Sequence, residues 1–192
     1  MPIVTLTTDF GLRDPYVAEV KGVLLSCLNS LQIVDITHEI SPFSIEEGAF
    51  QLLRSYAQFP ENAIHLAVVD PGVGTHRKCV FVKTGHGIFV GPDNGILRWA
   101  VEDAVRRKKK KAVVYEIPVP PKILPTFHAR DVMAPAIGGF LRGRKLRLKR
   151  VDELSGRSLP EPSRSQKGWK GEILHCDHYG NCVTSVRLGS LV

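Results

Sequence analysis

Asp70 and Arg77 are the residues in this sequence whose types and spacing point most directly to chemistry. An apolar run over residues 64–69 ends at Asp70, and a glycine-rich turn over residues 71–74 follows it. This interval lets the guanidinium of Arg77 fold back onto the carboxylate. A carboxylate held in this way can accept a proton from water or from a hydroxyl group. The same pair could instead be structural and cap the turn, and these two residues alone leave both interpretations open.

Other acidic and basic side chains follow predicted strands or precede predicted helices. They are Asp9, Asp14, His38 and His128. In open α/β sheets, ligands bind beyond the carboxyl ends of the strands, so we expect one site at that edge. His128 stands in a polar segment with Arg130 and Asp131. His38 and His65 stand alone, and we assign them no role because an isolated histidine is usually structural.

The elements that carry these residues alternate between strand and helix up to about residue 143. This order predicts an α/β domain with a largely parallel sheet flanked by helices. Short apolar runs predict strands at residues 3–7, 33–37, 64–69, 80–83, 88–90 and 112–117. Apolar stripes and capping residues predict helices at residues 15–28, 44–56, 96–106 and 131–141.

Capping residues set the predicted starts of three helices. Asp14, directly before a proline, is the predicted N-cap of the first helix. Ser44 and Glu47 have the spacing of a capping box at the start of the second. Asp131 is the predicted N-cap of the last helix, which places Pro135 in the first turn, where its missing N–H does no harm.

The domain organisation predicted from composition has a main domain, a linker and a short terminal part. Residues 1–150 form the α/β domain, and the polar, proline- and serine-rich residues 151–168 form a linker. Residues 169–192 contain a hairpin with strands at 169–176 and 182–186. A lone hairpin is marginally stable, so it either packs on the main domain or begins a β domain that is incomplete here.

Composition excludes several classes of protein. The chain has 192 residues, of which 43% are hydrophobic, as expected for a globular protein. No apolar run is long enough to span a bilayer. The first residues lack the charged n-region and cleavage site of a signal peptide, and we interpret them as a strand. The 4 cysteines form no CxxC pair, which favours a reduced cytoplasmic setting.

Two features could indicate other partners. The net charge is +7, but the excess lies in basic runs at 106–111 and 142–150, which carry no RNA-binding signature. We interpret both runs as solvated surface and expect no nucleic-acid partner. The residues His175, Cys176, His178 and Cys182 are grouped near the C-terminus, but their spacing matches no standard zinc motif, so we expect no metal there.

Several stretches of the sequence together resemble one known family. They are TLTTDFGLRDPYVAEVKG, DITHEISPFSIEEGA, HLAVVDPGVGTHR, FVGPDNGIL, TFHARD and DHYGN, and they run in order from residue 5 to residue 181. The sequence resembles the S-adenosylmethionine hydroxide adenosyltransferases, which are related to the fluorinase and chlorinase enzymes. This resemblance implies the reaction of S-adenosylmethionine with water to give adenosine and methionine.

The resemblance also implies a catalytic set. It consists of Asp70, Arg77 and His128, a set that the halogenating relatives lack, so its presence favours water as the nucleophile. Water must attack the ribose 5′ carbon in line with the departing sulfur, and a side chain must take its proton. Asp70, which would also contact substrate, and His128 both remain candidates for that acceptor. Asp9 would bind the ribose diol, because a carboxylate can accept both hydroxyl protons.

Further substrate contacts follow from the resemblance alone. Asp14 and Asp177 would meet the amino end of the methionine, and Asn181 would face the adenine. Phe43 would form a wall beside the ribose, and Phe127 would pack nearby. The family has a C-terminal β domain that completes the site, usually against a neighbouring subunit of a trimer. The chain stops soon after that domain begins, so we expect poor turnover unless the domain is supplied.

The sequence therefore predicts a cytoplasmic hydrolase that is a homotrimer with sites at subunit interfaces and needs no metal or other cofactor. Its partners would be S-adenosylmethionine and the products, with no membrane and no nucleic acid. One alternative is a metal-dependent hydrolase of a nucleoside-like substrate, with Asp9, Asp70 and His128 as ligands. The other alternative is a basic nucleic-acid-binding module that is not an enzyme.

Overall fold

The computed structural model describes residues 1–28, 30–166 and 168–186. The chain divides into two units, Met1–Gly156 and Arg157–Val192, and each is described by itself. The division falls within the predicted linker at 151–168, whereas the predicted domain limits at 1–150 and 169–192 stay predictions.

The first unit is built around one 7-stranded sheet with the order β2-β1-β3-β5-β4-β6-β7. Its strands are β1 (Ile3–Thr8), β2 (Gln32–Thr37), β3 (Ile64–Val68), β4 (Cys79–Thr84), β5 (Gly87–Pro92), β6 (Val113–Ile117) and β7 (Lys149–Val151). Strands β2, β1, β3 and β5 are parallel to one another, whereas β4 is antiparallel to β5 and β6, and β7 is antiparallel to β6. The predicted α/β class is confirmed, with the antiparallel part confined to one side of the sheet.

Helices cover both faces of this sheet. They are α1 (Tyr16–Cys27), α2 (Ile45–Ser55), α3 (Arg98–Lys108) and α4 (Ala134–Leu141). A 3₁₀ turn at Tyr56–Gln58 follows α2, and a π-helical turn at Ala129–Met133 leads directly into α4. In the part of the chain that the structure describes, no helix combines the length and the apolarity that crossing a membrane requires.

Strand β3 is buried on both faces, as its apolar run predicts, and His65 within it is buried as well. Leu66 and Val68 belong to an apolar cluster that includes residues of α1 and α4. Ala67 and Val69 point the other way and belong to a second cluster with residues of α2 and α3. Full burial of one aliphatic side chain contributes about 1.5–3 kcal/mol, so β3 is held firmly in the middle of the sheet.

The predicted N-cap of α1 is wrong, and the capping box predicted for α2 does not form. The N-cap of α1 is Pro15 rather than Asp14, because the carbonyl of Pro15 accepts the first helical bond, 2.9 Å from the Glu19 nitrogen. Ser44 does precede α2, but it forms no capping box. Its N–H is already bonded to the Ser41 carbonyl at 2.9 Å, so the Glu47 carboxylate accepts the N–H of Ser41 instead.

The predicted helix at 131–141 begins differently. Asp131 lies inside the π-helical turn, where its N–H donates to the Phe127 carbonyl, so it is not an N-cap. Its carboxylate is bound by Arg130 at 2.6 and 2.8 Å. Pro135 cannot donate to the carbonyl of Asp131, and regular α-helix starts only at Ala134, which places this proline in the first turn as predicted.

The second unit contains two short hairpins. Its strands are β8 (Ser163–Ser165), β9 (Gly168–Lys170), β10 (Ile173–Cys176) and β11 (Cys182–Thr184). The predicted hairpin is present as β10–β11, but the predicted single strand at 169–176 is split, and its first part pairs with β8 inside the predicted linker. The split falls at Gly171, where an added Cβ would lie 2.4 Å from a methyl group of Val186.

Candidate active site

The site residues meet because of the order of three strands. β5 lies between β3 and β4, so the loop that joins β3 to β4 (residues 69–78, the β3–β4 loop) must cross the end of β5. Adjacent strands are about 4.8 Å apart, so the loop spans about 10 Å. Because β4 is antiparallel to β5, its first residue, Cys79, pairs with Pro92 at the carboxyl end of β5. The start of β4 therefore lies at the edge where β1, β3 and β5 end.

Two consecutive turns fold the β3–β4 loop back on itself. The Val73 N–H donates to the Asp70 carbonyl at 3.2 Å, and the Thr75 N–H donates to the Gly72 carbonyl at 3.1 Å. The Thr75 hydroxyl donates to the same carbonyl at 2.7 Å. The chain reverses within a few residues, which brings Arg77 back to Asp70 as its spacing predicts.

Asp70 and Arg77 form a two-pronged ion pair. Arg77 Nε donates to Asp70 Oδ1 at 2.9 Å, and Nη2 donates to Oδ2. The two side chains are only 7% and 10% exposed, so water screens the pair little. Burial is the largest single influence and lowers the pKa of Arg77, but the hydrogen bonds that Arg77 donates to Asp70 and Cys79, together with the electrostatic interactions with these two residues, outweigh burial and raise the pKa. The guanidinium is permanently charged and fixed in orientation.

The third member of the predicted set, His128, arrives on a different segment. A proline-rich arm, residues 118–127, runs from β6 to His128, which directly precedes the π-helical turn. Gly74 of the β3–β4 loop contacts this arm with φ +79°, and a Cβ there would lie 2.9 Å from the Pro125 carbonyl oxygen. Only glycine allows so close an approach in that conformation, and the approach holds the loop and the arm together.

The tautomer of His128 follows from its partner. Arg77 Nη2 lies 2.9 Å from His128 Nδ1. A guanidinium carries only donors, so Nδ1 accepts, and the neutral ring carries its proton on Nε2. Burial, with Arg77 second, lowers the pKa of His128. The imidazole is therefore neutral at pH 7, with the lone pair of Nδ1 engaged by Arg77.

These side chains lie beside a cavity of about 260 Å³ at the carboxyl edge of the sheet. Its lining residues are Asp9, Phe10, Tyr16, Pro42, Phe43, Val68, Asp70, Val73, Thr126, Phe127, His128 and Ala129. The structure thus brings Asp9, Phe43, Phe127 and His128 together with Asp70, as the sequence predicts. Arg77 stands behind Asp70.

Asp9 and Phe43 are linked on one side of this cavity. The Phe43 N–H donates to Asp9 Oδ2 at 3.0 Å. Phe43 has φ +67°, a backbone conformation that is unfavourable for a bulky side chain. Strain of this kind persists only where surrounding contacts hold it, and it is found often at ligand sites. The turn presents the phenyl ring, 69% exposed, at the mouth of the cavity.

An aromatic cluster forms another side, and sequence reasoning missed most of it. Phe127 packs edge-to-face against Phe10 at 5.7 Å and against Tyr16 at 5.4 Å between ring centroids. The Arg130 guanidinium lies 4.9 Å from the centroid of the Phe127 ring and is also paired with Glu19 of α1 at 2.6 Å. Phe10, next to Asp9 in the sequence, could have been found from that adjacency.

Not every predicted site residue is at the cavity. Asp14 is exposed and does not line it. Asp177 and Asn181 belong to the second unit, where both the backbone N–H and the side-chain amide of Asn181 donate to the Asp177 carboxylate at 2.8 Å. Hydrogen bonds from Asn181 lower the pKa of Asp177. His38 and His65, which received no role, have structural partners, the hydroxyls of Thr8 and Thr5.

The predicted absence of a metal centre stays a prediction. Among the described residues, no group of three or more His, Cys, Asp or Glu side chains is arranged to hold a metal ion. Of the grouped residues near the C-terminus, Cys176 and Cys182 pair across the β10–β11 hairpin with their sulfur atoms 3.2 Å apart.

Comparisons with known proteins identify relatives of this chain. The chain is similar to the (R)-S-adenosyl-L-methionine hydrolase of Methanocaldococcus jannaschii, with 35% identity over 97% of this chain and 68% of the relative. It is similar to the protein of the same name from Thermus thermophilus, with 38% identity over 95% of this chain and 74% of the relative. A crystal structure of an uncharacterized conserved protein from Thermotoga maritima covers 98% of this chain and 72% of its own, with 32% identity and a TM-score of 0.83.

A family model covers the part of the chain that builds the cavity. The model describes the SAM hydroxide adenosyltransferase N-terminal domain and matches residues 4–149. The match includes the whole β3–β4 loop and the proline-rich arm. The chain therefore belongs to the SAM hydroxide adenosyltransferase family, as the resemblance of its motifs implied.

Proposed function

We propose that this chain hydrolyses S-adenosyl-L-methionine to adenosine and L-methionine, with water attacking the ribose 5′ carbon. The observation that carries the proposal is the meeting of Asp70, Arg77 and His128 beside a cavity that also presents Asp9. The relatives named for this hydrolysis, at 35% and 38% identity, support the same reaction here. Their name specifies the (R) sulfonium epimer, which is therefore the first substrate to test.

Asp70 is the better acceptor for the proton of the attacking water. The Nδ1 lone pair of His128 is engaged by Arg77, and the Nε2 of the neutral ring carries a proton. A carboxylate has about four lone-pair sites, so Asp70 can hold Arg77 and still accept from water. His128 can offer its Nε2–H to the water oxygen and so orient it. The leaving thioether is neutral once the sulfonium breaks, and it needs no acid.

Binding roles are proposed for the other residues. Asp9 would accept the ribose hydroxyls, and Phe43 and Phe127 would enclose the nucleoside. Asp14 and Asp177 would meet the methionine and Asn181 the adenine. The cavity of about 260 Å³ lies below the usual range for ligand sites, about 300–1,000 Å³. This size supports completion of the site by a further surface, as in a homotrimer with sites at subunit interfaces.

The remaining parts of the proposal concern setting and cofactors. We place the enzyme in the cytoplasm, with residues 1–150 as the catalytic domain and no resident metal or other cofactor. Size-exclusion chromatography with light scattering tests the trimer. Turnover that is lost in chelator and restored by zinc or magnesium would instead favour the metal-dependent alternative.

The reaction itself is tested by isotope labelling. The purified chain is incubated with (R)-S-adenosyl-L-methionine in H₂¹⁸O. The products are then separated, and their masses are measured by mass spectrometry. We expect adenosine that carries one ¹⁸O atom at the 5′ position, together with unlabelled methionine. Methylthioadenosine, homocysteine, or no product at all from the trimeric protein would contradict the proposal.

The role of Asp9 is tested by Asp9→Asn. Asparagine keeps an acceptor for the Phe43 N–H but loses the charge and one acceptor for the ribose diol. Hydrogen bonds to charged groups contribute about 1.5–3 kcal/mol, so we expect adenosine affinity to fall about 10- to 100-fold by calorimetry. Asp152→Asn, at an exposed position outside the cavity, is the control and should bind normally. Unchanged adenosine affinity in Asp9→Asn would show that Asp9 does not bind the ribose hydroxyls.

A further inference from the structure

Cys79 lies directly behind the candidate site, and the proposed reaction does not use it. It is the first residue of β4, is fixed by strand pairing to Pro92 and Ile117, and is fully buried. Its Sγ lies 3.0 Å from Arg77 Nη1 and 3.8 Å from His128 Nδ1. The thiol therefore contacts two of the three residues that converge on the cavity.

The thiol completes the set of partners around the Arg77 guanidinium. Nε and Nη2 donate to Asp70, and Nη2 also contacts His128. Nη1 is the remaining nitrogen, and it donates to Cys79. The side chain of Arg77 is only 10% exposed. If Cys79 did not accept from Nη1, this buried nitrogen would lose a hydrogen bond that water could replace only poorly. Cys79 thus helps to set the rotation of the guanidinium about its long axis.

The same thiol has a proton to give. Burial raises the pKa of Cys79, so the group is S–H at neutral pH. Its sulfur accepts from Arg77, and the Nδ1 of His128 lies within the reach of a sulfur hydrogen bond. An S–H that points to Nδ1 and the Nη2–H of Arg77 both favour an unprotonated Nδ1.

We propose that Cys79 is a positioning residue of this site, which holds Nη1 of Arg77 through its sulfur and, together with Arg77, keeps His128 in the Nε2–H tautomer. The competing explanation is that Cys79 is only a small apolar residue of the core. The activity part of this inference rests on the proposed function, whereas the tautomer can be measured without substrate.

Three substitutions separate positioning from packing. Cys79→Ser keeps a group that accepts and donates, Cys79→Val keeps apolar volume without either property, and Cys79→Ala removes both. Positioning predicts that serine is the best tolerated in kcat. Packing alone predicts that valine is the best, because a buried hydroxyl is harder to accommodate than a methyl group.

The kinetic test measures kcat and KM for methionine release. We expect Cys79→Val and Cys79→Ala to lower kcat about 10- to 100-fold, the scale of one hydrogen bond to a charged group, with KM within a few-fold of wild type. Cys79→Ser should stay within a few-fold in kcat. Cys27→Ala is the matched control, because Cys27 also accepts from an arginine, Arg142 at 3.4 Å, away from the cavity. The proposal would be overturned if Cys79→Val had the kcat of wild type, or if Cys79→Ser had a lower kcat than Cys79→Val.

The second readout is ¹⁵N NMR of the imidazole groups in the whole chain, with His128 assigned by its loss in His128→Gln. We expect an Nε2–H tautomer in wild type and Cys79→Ser, and a mixture with Nδ1–H in Cys79→Val. An Nδ1–H tautomer in wild type overturns the proposal even if every Cys79 variant fails to fold. If wild type shows the Nε2–H tautomer but does not hydrolyse the substrate, the proposed function fails and the tautomer change in Cys79→Val still decides the role of Cys79.

Discussion

The two ends of strand β3 carry similar groups of residues and use them differently. Both ends have a buried histidine and an aspartate that is bound by arginine. At the carboxyl end these residues are Asp70, Arg77 and His128. Near the amino end they are His65, Asp103, Arg106 and Arg107, with Tyr56 among them.

The group near the amino end joins the segment that follows α2 to helix α3. The Tyr56 hydroxyl, just after α2, donates to Asp103 of α3 at 2.6 Å, and Asp103 also accepts from Arg106 and Arg107, which are more than half exposed. His65 stands apart among aromatic rings, with Nδ1 2.9 Å from the Thr5 hydroxyl. None of these residues lines the cavity at the other end of the strand.

The carboxyl-end group differs in one contact. There the guanidinium reaches the histidine ring nitrogen as well as the aspartate, and both acid and imidazole border open space. An aspartate–arginine pair and a buried histidine are therefore insufficient evidence for a site. Convergence of the three on one cavity is the distinguishing observation, and three measurements test whether the two ends of β3 differ in this way.

The largest expected effect is on turnover at the carboxyl end. Asp70→Asn and His128→Ala each remove a group that contacts the attacking water in our proposal, so kcat should fall about 10²–10⁴-fold. The double variant should fall little further, because the residues act as one unit. Asp103→Asn is the matched control and should keep kcat. The kcat of each variant is measured from methionine release. A near-normal kcat in His128→Ala would show that the group at the carboxyl end of β3 is structural, like the group at the amino end.

The next effect is a pH dependence of stability at the amino end. Burial, with His86 second, lowers the pKa of His65 from 6.5 to about 4 in the folded protein. The unfolded chain then binds the proton first as the pH falls, so this group costs stability progressively between pH 6.5 and 4 and no further below that. The shift corresponds to about 3 kcal/mol.

His65→Asn isolates this contribution, because asparagine does not titrate and can still bond to the Thr5 hydroxyl. Urea unfolding at pH 7 and pH 4.5 should show a smaller loss of unfolding free energy in the variant than in wild type. His128 titrates in the same direction in both proteins, so its contribution cancels in the difference between them. Equal losses of unfolding free energy in the two proteins would contradict the lowered pKa of His65.

The smallest effect concerns the link between α2 and α3. Asp103→Ala leaves the buried Tyr56 hydroxyl without its acceptor and should lower the free energy of unfolding by about 1–3 kcal/mol. Tyr56→Phe should cost about 1 kcal/mol, and the two changes together should cost less than their sum. Both variants should keep kcat. Additive losses in urea unfolding would mean that the hydroxyl and the carboxylate do not act as a pair.

Local patterns in the sequence were enough for the first six strands of the main sheet and for the polar residues at their ends, whereas β7 and β8 were not predicted. The apolar run before Asp70 predicted a strand buried on both faces, and the glycine-rich turn predicted the return of Arg77. Cys79 could not be found in this way, since it directly precedes the predicted strand at 80–83 and stands in no polar motif. Its contact with Arg77 depends on β5 lying between β3 and β4, which is a property of strand order and not of a local pattern.

The capping box that does not form at Ser44 and the wrong N-cap at Asp131 have a related cause. Ser44 and Asp131 are residue types that favour caps, but each has a partner that local rules do not include. The N–H of Ser44 is taken by the Ser41 carbonyl, and the carboxylate of Asp131 is taken by Arg130. In both places the competing partner belongs to a segment that shapes the cavity, so local rules fail next to the candidate site.

The proline-rich arm that carries His128 has a consequence for conformational entropy. Most of residues 118–126 are exposed, so burial of apolar surface contributes little to ordering them. The arm contains Pro118, Pro120, Pro121 and Pro125, and each proline restricts the unfolded chain by about 0.4–1 kcal/mol where the native backbone suits it. The four prolines together therefore remove about 2–4 kcal/mol of the conformational freedom that the arm would otherwise lose on folding. His128 thus reaches Arg77 at the end of a mostly exposed segment in which Ile123 and Phe127 pack against the core.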